Sequence, residues 1–424
     1  MKTAEKIRIV ADLIAIDSAN NHEEQIADYL LKLFAIYGIK ASKITQFPGR
    51  CNLVAEIGDG QAPKIGLSGH FDTVSPGVDE TQWTTSPYSA VIDADTLRGL
   101  GASDMKAGVA QLVITMIELK QAGLPRHGTI RFLGTISEEL TEEGARLLAD
   151  QGYADDLDVL LFAEPTGVAI DQLPAYFDSG AARIDHNTLD ALLAAAETTQ
   201  AREQHFIFQS HKGWMTYTVT AHGKAAHSSM PGLGINAVDC LITYYQAEKA
   251  LYANLMETSA ELGATIYAPD IFHGGTQVNS IPAIAYEQVK VRTIPELPNS
   301  ELINRLSHLI DELNQQPDMN LELTVEQSEV PVANSTPLTF APFLQHHAHT
   351  TLAEPLDLPT ISVSLGTDAS EFRRRNSTAE MLVVGPGNTS AHQVDEFVSI
   401  SAYLNMIELL IASLTDYFSV NQKD

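Results

Sequence analysis

Two histidines and five carboxylates stand at the ends of apolar runs in this chain, and their types suit divalent-metal chemistry. His70 and Asp72 lie in Gly69-His70-Phe71-Asp72-Thr73-Val74, Asp104 in Ser103-Asp104-Met105-Lys106, and Glu138 and Glu139 follow Ser137. Glu164 lies in Ala163-Glu164-Pro165-Thr166, and His392 closes Ser390-Ala391-His392. Apolar runs bounded in this way read as buried strands. A carboxylate at the end of a buried strand is costly to desolvate unless a cation meets it. No cluster of Lys or Arg accompanies these positions, so the economical partner is a divalent metal, and a pair of them suits the number of donors.

Each position also has a plainer reading. His70 and Asp72 are two apart, so in an extended strand both face one side, and Asp72 can take the proton of one imidazole nitrogen while the other binds metal. Alone, that pair is more often structural. Asp104 precedes a helix expected from Met105; it can cap that helix or bridge two metals with its two oxygens. Glu138 and Glu139 are neighbours whose side chains diverge. One can ligate while the other serves as general base to a metal-activated water; the plainer reading is a solvated pair entering a helix. Glu164 follows the apolar run Leu160–Ala163, where exposure is unexpected. His392 follows the turn-rich Gly385-Pro386-Gly387-Asn388. Imidazole and carboxylate donors without Cys suit catalytic zinc, or cobalt or manganese in its place.

The elements that must position these residues alternate between helix and strand. Residues 23–37 carry Ile26, Tyr29, Leu30, Leu33 and Phe34 on one helical face and end at Gly38. Residues 52–57, 64–68, 129–136 and 158–163 read as strands, and 105–122 as a helix. This is an α/β pattern, a mixed sheet between helices, with sites expected at the carboxyl ends of strands. The middle differs. Strands at 214–221, 271–278, 285–292 and 320–326, with helices at 236–255 and 300–314, suit a small α+β sandwich inserted into the first fold. The expected organisation is a catalytic domain of residues 1–211 and 329–424 and an inserted domain of 212–328. The first fold resumes with strands at 359–364 and 380–384 and a closing helix at 397–414. Residues 178–209, rich in Ala, Asp, Glu, Thr and Gln, read as a surface helical insertion, with a flap near the site as the functional alternative.

Composition narrows the partners. The 424 residues carry 54 acidic against 26 basic side chains, a net charge of -28. That sign repels phosphate backbones, so nucleic acid is not an expected partner. Only Cys51 and Cys240 are present, which is no disulfide framework and fits a reducing cytoplasm. The N-terminus carries charges throughout and shows no leader pattern, and no apolar run is long enough to span a membrane.

Taken together, GHFDTV, LRGLGASDMKAG, TISEEL, FAEPTG, AHGKAAHSSMPGLGINA, GTQVNSIP and GPGNTSAHQVDE resemble one family, over nearly the whole chain apart from 178–209. It is the acetylornithine deacetylase / succinyl-diaminopimelate desuccinylase family of dinuclear zinc amidohydrolases. The resemblance implies a zinc-hydrolase-type catalytic domain with an inserted lid and dimerisation domain, and two zinc ions per chain. It implies that His70 binds one zinc and His392 the other, that Asp104 bridges both, and that Glu139 completes one metal and Glu164 the other. Glu138 would be the general acid/base and Asp72 would orient His70. His227 would reach a partner subunit's site in a homodimer to stabilise the oxyanion. Asn279 and Arg292 would hold the substrate's carboxylate end, and Gly366 and Thr367 would form a substrate loop.

The implied reaction is hydrolysis of an N-acylated amino acid, with N-succinyl-LL-2,6-diaminopimelate, a lysine-biosynthesis intermediate, as the leading substrate. N-acetylornithine or a related acyl amino acid, a di- or carboxypeptidase activity, and a non-catalytic metal-binding scaffold are the alternatives. The chain departs from the family pattern at Glu371, where desuccinylases often carry Arg. It also departs at Leu100, where an Arg is often found, and in the 178–209 insertion.

Overall fold

The computed structural model describes residues 1–19, 21–77, 80–334 and 337–421. The chain divides into two compact units. One comprises Met1–Ser210, Ala333–Val363 and Thr367–Asp424, the other His211–Val332 with Ser364–Gly366.

The first unit is built on a ten-stranded mixed sheet. Its middle is parallel: Lys64–His70 lies between Thr129–Thr135 and Val159–Phe162, and Glu380–Val383 pairs on the far side of Val159–Phe162. These strands are buried along nearly their whole length. They therefore read as continuous apolar runs, as central parallel strands do. Ala41–Phe47 and Arg50–Gly58 extend one side as an antiparallel hairpin.

The helix Lys106–Gln121 has 13 buried residues of 16, so it must be covered on all sides. It packs against the strand Lys64–His70 and the helices Thr3–Ile14 and Ile400–Val420. A glycine at 108 allows the approach: a Cβ there would lie 2.0 Å from the carbonyl oxygen of Ala163. That contact brings the loop ending in Asp104 beside the strand end that carries Glu164.

The closing helix begins later than the sequence suggests. Phe397–Ser399 is a strand paired with Thr96–Arg98, and the helix starts at Ile400, capped by the Ser399 hydroxyl, which accepts from Ala402 N–H. The 178–209 segment is tied into the fold. Ala182–Arg183 pairs with Thr360–Val363 at the end of the sheet, and Glu203–His205 pairs with Gly167–Ala169. Between them the helix His186–Ala196 starts at Asp185, whose carboxylate accepts from Thr188 N–H, and it buries only Leu192.

The second unit is a four-stranded antiparallel sheet in the order Ile266–Gly274, Ile284–Thr293, Gly213–His222, Leu321–Glu329. Gly213–His222 alternates buried and half-buried residues, and the helices Ala237–Ala253 and Asn299–Leu313 pack over its apolar side chains. The first strand lies at 266–274, where the sequence suggested 271–278, because Gly275 at φ +76° turns the chain. It is an edge strand, and Ile266, Ile271 and Phe272 on it are exposed.

Candidate metal centre

The chemistry-bearing residues collect where the parallel strands end. His70 is the last residue of its strand. Glu138 and Glu139 lie three and four residues past Thr135, Glu164 two past Phe162, and His392 in the loop beyond Glu380–Val383. This is where open α/β sheets carry their sites.

Two donor groups form, and they share one residue. His70, Asp104 and Glu164 converge in the first, and Asp104, Glu139 and His392 in the second. His70 Nε2 lies 3.0 Å from Asp104 Oδ1 and 3.5 Å from Glu164 Oε2. His392 Nε2 lies 3.3 Å from Asp104 Oδ2 and 2.9 Å from Glu139 Oε2. Asp104 thus turns one oxygen to each imidazole. It does not cap the following helix, which starts at Lys106 with no side-chain cap. Glu138 stands beside the first group, its Oε2 3.9 Å from His70 Nε2.

Asp72 behaves differently from the strand-based expectation. The strand ends at His70, so Asp72 is no longer in register with it. His70 Nδ1 meets the main-chain oxygen of Asp72 at 3.0 Å, while the carboxylate is 3.6 Å away. The Asp72 carboxylate instead accepts the backbone N–H groups of Glu138, at 3.2 Å, and Glu139, at 3.1 Å. One residue therefore orients the imidazole through its carbonyl and sets the two glutamates through its side chain.

Two supporting carboxylates went unassigned in the sequence. Glu396 is buried and accepts from the backbone N–H groups of Gly101, Ser103 and Asp104, each at 2.8 Å. It fixes the loop that presents Asp104. Asp368 is also buried; its Oδ2 accepts from the Thr135 hydroxyl at 2.5 Å, and its Oδ1 has no hydrogen-bond partner. The only signal for Glu396 was its place four residues after His392, and Asp368 lay in a loop considered for Thr367.

The electrostatics match a site made for cations. Burial works to raise the Asp104 carboxyl, but His392 and His70 overcome it and hold the group far below its ordinary range. Burial lifts Glu164 to about 7 against the pull of His70, and lifts Glu138 well above its ordinary value. Hydrogen bonds to Asp104 and Glu139 raise His392 to about 10. Among the described residues, no Lys or Arg forms an ion pair with Asp104, Glu138, Glu139 or Glu164. Glu139 Oε1 is buried without a partner. Among the described residues, imidazoles are the only cation-forming side chains paired with these carboxylates, and five carboxylate and imidazole residues in two groups fit two divalent ions.

The other candidates fall elsewhere. Thr367 is buried and adjoins Asp368. His227, Asn279, Arg292 and Gly366 belong to the second unit. There, Ser228 N–H donates to the Asn279 carbonyl, so the His227 and Asn279 loops are neighbours. A Cβ on Gly366 would lie 2.9 Å from the Trp214 ring and 3.8 Å from an Arg292 terminal nitrogen. His227 is exposed, and its Nδ1 accepts from Ser229 N–H at 3.2 Å. A neutral imidazole so held carries its proton on Nε2.

Glu371 and the arginines after it are occupied. Glu371 is 1% exposed and pairs with Arg146 and Arg374. Arg373 donates to the Ser377 carbonyl and to Asn334, Arg374 also reaches Asp150, and Arg375 stands 4.0 Å from Asp155. Leu100 is buried.

Comparison with known proteins gives the same frame. The family model for peptidase family M20/M25/M40 matches residues 66–416. A probable succinyl-diaminopimelate desuccinylase of Staphylococcus aureus strain MSSA476 is 34% identical, over 96% of this chain and 95% of its own. An acetylornithine deacetylase of Yersinia pseudotuberculosis is 26% identical, over 95% and 92%. The structure of an M20 family metallo-carboxypeptidase from Sulfolobus solfataricus superposes with a TM-score of 0.74 at 16% identity, covering 99% of this chain and all of the other. The chain belongs to peptidase family M20/M25/M40 and is a metal-dependent amidohydrolase of that family.

Proposed function

We propose that this enzyme hydrolyses the amide bond of an N-acylated amino acid, and that its substrate is N-succinyl-LL-2,6-diaminopimelate, cleaved to diaminopimelate and succinate. The observation that carries the reading is the pair of donor groups sharing Asp104, with Glu138 beside them and, among the described residues, no Lys or Arg paired with them. The name of the 34% identical relative supports the substrate.

In this reading His70 and Glu164 would hold one zinc ion, His392 and Glu139 the other, and Asp104 would serve both; cobalt or manganese could substitute. When bound, the ions supply Lewis-acid polarisation of the amide carbonyl and a more acidic water. Glu138 takes the proton of the attacking water as the new C–O bond forms. The His227 Nε2–H donates to the oxyanion of the tetrahedral intermediate. Glu138 then passes its proton to the leaving nitrogen as the C–N bond breaks, giving a free amine and a carboxylate. Asp72 keeps His70 and the Glu138–Glu139 backbone in place. Asn279 and Arg292 receive the amino acid's carboxylate end, and Gly366 and Thr367 form a substrate loop.

His227 lies in the second unit, and in a homodimer it would serve the partner's site. The exposed edge strand Ile266–Gly274, with Ile271 and Phe272 bare, supports such pairing, since open edges invite it. The enzyme would work in the cytoplasm: both cysteines are free and buried, and no helix among the described residues is long and apolar enough to cross a membrane.

A second reading is a deacylase for a smaller acyl group, such as that of N-acetylornithine. It is favoured by Glu371, which stands where desuccinylases often carry Arg and pairs with Arg146 and Arg374. Zinc-loaded enzyme assayed on N-succinyl-LL-2,6-diaminopimelate, N-acetylornithine and dipeptides separates the readings. The succinyl substrate should give the highest kcat/KM; preference for the acetyl substrate would favour the second reading, and preference for dipeptides would overturn both.

A further inference from the structure

A cavity of about 590 Å³ lies in the first unit, and none of its lining residues is a donor of the metal centre. That volume is within the range of small-molecule sites. The 178–209 segment and the residues around it, which have no part in the proposed mechanism, build one of its walls.

The cavity carries separated charges. On the inner side, His205 is fully buried, and its Nδ1 lies 2.6 Å from Glu354 Oε1. Glu354 is consumed by this contact and by the His205 N–H, which its other oxygen accepts at 2.8 Å. Glu203 is not consumed. Its Oε1 accepts from Asn388 Nδ2 at 3.0 Å, but its Oε2 is buried with no hydrogen-bond partner, 3.9 Å from His205 Nε2. Asp95, also on the lining, accepts from the hydroxyls of Ser399 and Ser401 at 2.8 and 2.7 Å. Three acidic side chains stand against one imidazole on this wall. Arg202 lines the same cavity, is exposed, and forms no ion pair among the described residues.

We propose that this cavity is a second ligand site that takes a free amino acid in its zwitterionic form. The ammonium group meets the unpartnered Glu203 oxygen, with Asp95 adding to the field. The carboxylate meets the Arg202 guanidinium at the rim, where a planar two-pronged contact is available. A diamine would leave Arg202 unanswered, and a dicarboxylate would face Glu203 and Asp95 with like charge. The site is built independently of the reaction assigned above, because it uses none of its residues.

Isothermal titration of zinc-loaded enzyme with glycine, L-lysine and L-glutamate, and with putrescine (two ammonium groups) and succinate (two carboxylates) as controls that carry charge of one sign only, tests this. At least one amino acid should bind with one-to-one stoichiometry, to wild type and to Glu138→Gln alike, and more tightly than either control. Glu203→Gln preserves the bond from Asn388 and should weaken binding by about tenfold or more, the range of a lost charged hydrogen bond. Arg202→Ala, at an exposed position, should do the same without disturbing the fold. Absence of amino acid binding, or binding that both variants leave unchanged, would overturn the proposal. So would putrescine binding as tightly as an amino acid.

Discussion

Glu287→Gln should make the second unit more stable at pH 8 than the natural residue does. Glu287 and Glu248 are both fully buried in the core of that unit. Glu248 is well supplied: its Oε1 accepts from the hydroxyls of Tyr217 at 2.6 Å and Tyr244 at 2.9 Å, and its Oε2 from Tyr267 at 2.5 Å. Neither oxygen of Glu287 accepts a hydrogen bond, and no cationic side chain pairs with either glutamate among the described residues. Burial, with Glu248 beside it, therefore pushes Glu287 up to about 8 from 4.5.

The folded chain keeps a proton there that the unfolded chain gives up near pH 4.5. Between those values the folded state binds more protons, so its stability falls as pH rises, and the loss is complete once pH passes about 8. At about 1.4 kcal/mol per pH unit, the loss is no more than about 5 kcal/mol, shared with Glu248. Glutamine keeps the shape, can still donate to Glu248, and cannot ionise. Urea unfolding can follow Trp214 in a Trp83→Phe background, because Trp83 and Trp214, the two tryptophans, lie in different units. The wild-type stability of the Trp214 transition should decline between pH 5 and 8, while Glu287→Gln stays nearly level. Parallel curves for the two proteins would refute the reasoning.

Other outcomes follow from the metal centre. Glu138→Gln should keep its metal content and lower kcat by about 10²–10⁴-fold; near wild-type turnover would take the base role from Glu138. Glu396→Gln should weaken metal binding about 10–100-fold by loosening the amides of Gly101, Ser103 and Asp104, as seen when supports behind a ligand are lost; dialysis against a graded chelator would measure it. Glu371→Ala should lower stability by about 1–3 kcal/mol, because the buried contacts to Arg146 and Arg374 are lost while both arginines stay partly exposed to water, with KM unchanged. Mixing inactive His227→Ala with inactive Glu138→Gln under subunit exchange should restore part of the activity, and failure despite proven exchange would exclude action across a dimer.

The donors were legible because central parallel strands are apolar along their whole length, so a charged residue just past Lys64–His70 or Val159–Phe162 is conspicuous. The supports behind them were not. Glu396 acts by accepting from three backbone N–H groups nearly 300 positions away, and no local spacing marks such a contact. Asp72 misled for a related reason: two-residue spacing implies a common face only while the strand lasts, and it stops at His70. The strand Phe397–Ser399 was hidden because its three residues run directly into the apolar pattern of the helix from Ile400. Ala182–Arg183 joins the sheet with only two residues, too few for any periodicity.

In the proposed centre, five residues would hold two ions with Asp104 between them. Anomalous diffraction at the zinc edge from crystals of the zinc-loaded enzyme tests it most directly. Two peaks roughly 3.5–4 Å apart are predicted, one beside His70 and Glu164, the other beside Glu139 and His392, each in contact with one Asp104 oxygen. A single peak, or two peaks that Asp104 does not join, would contradict it.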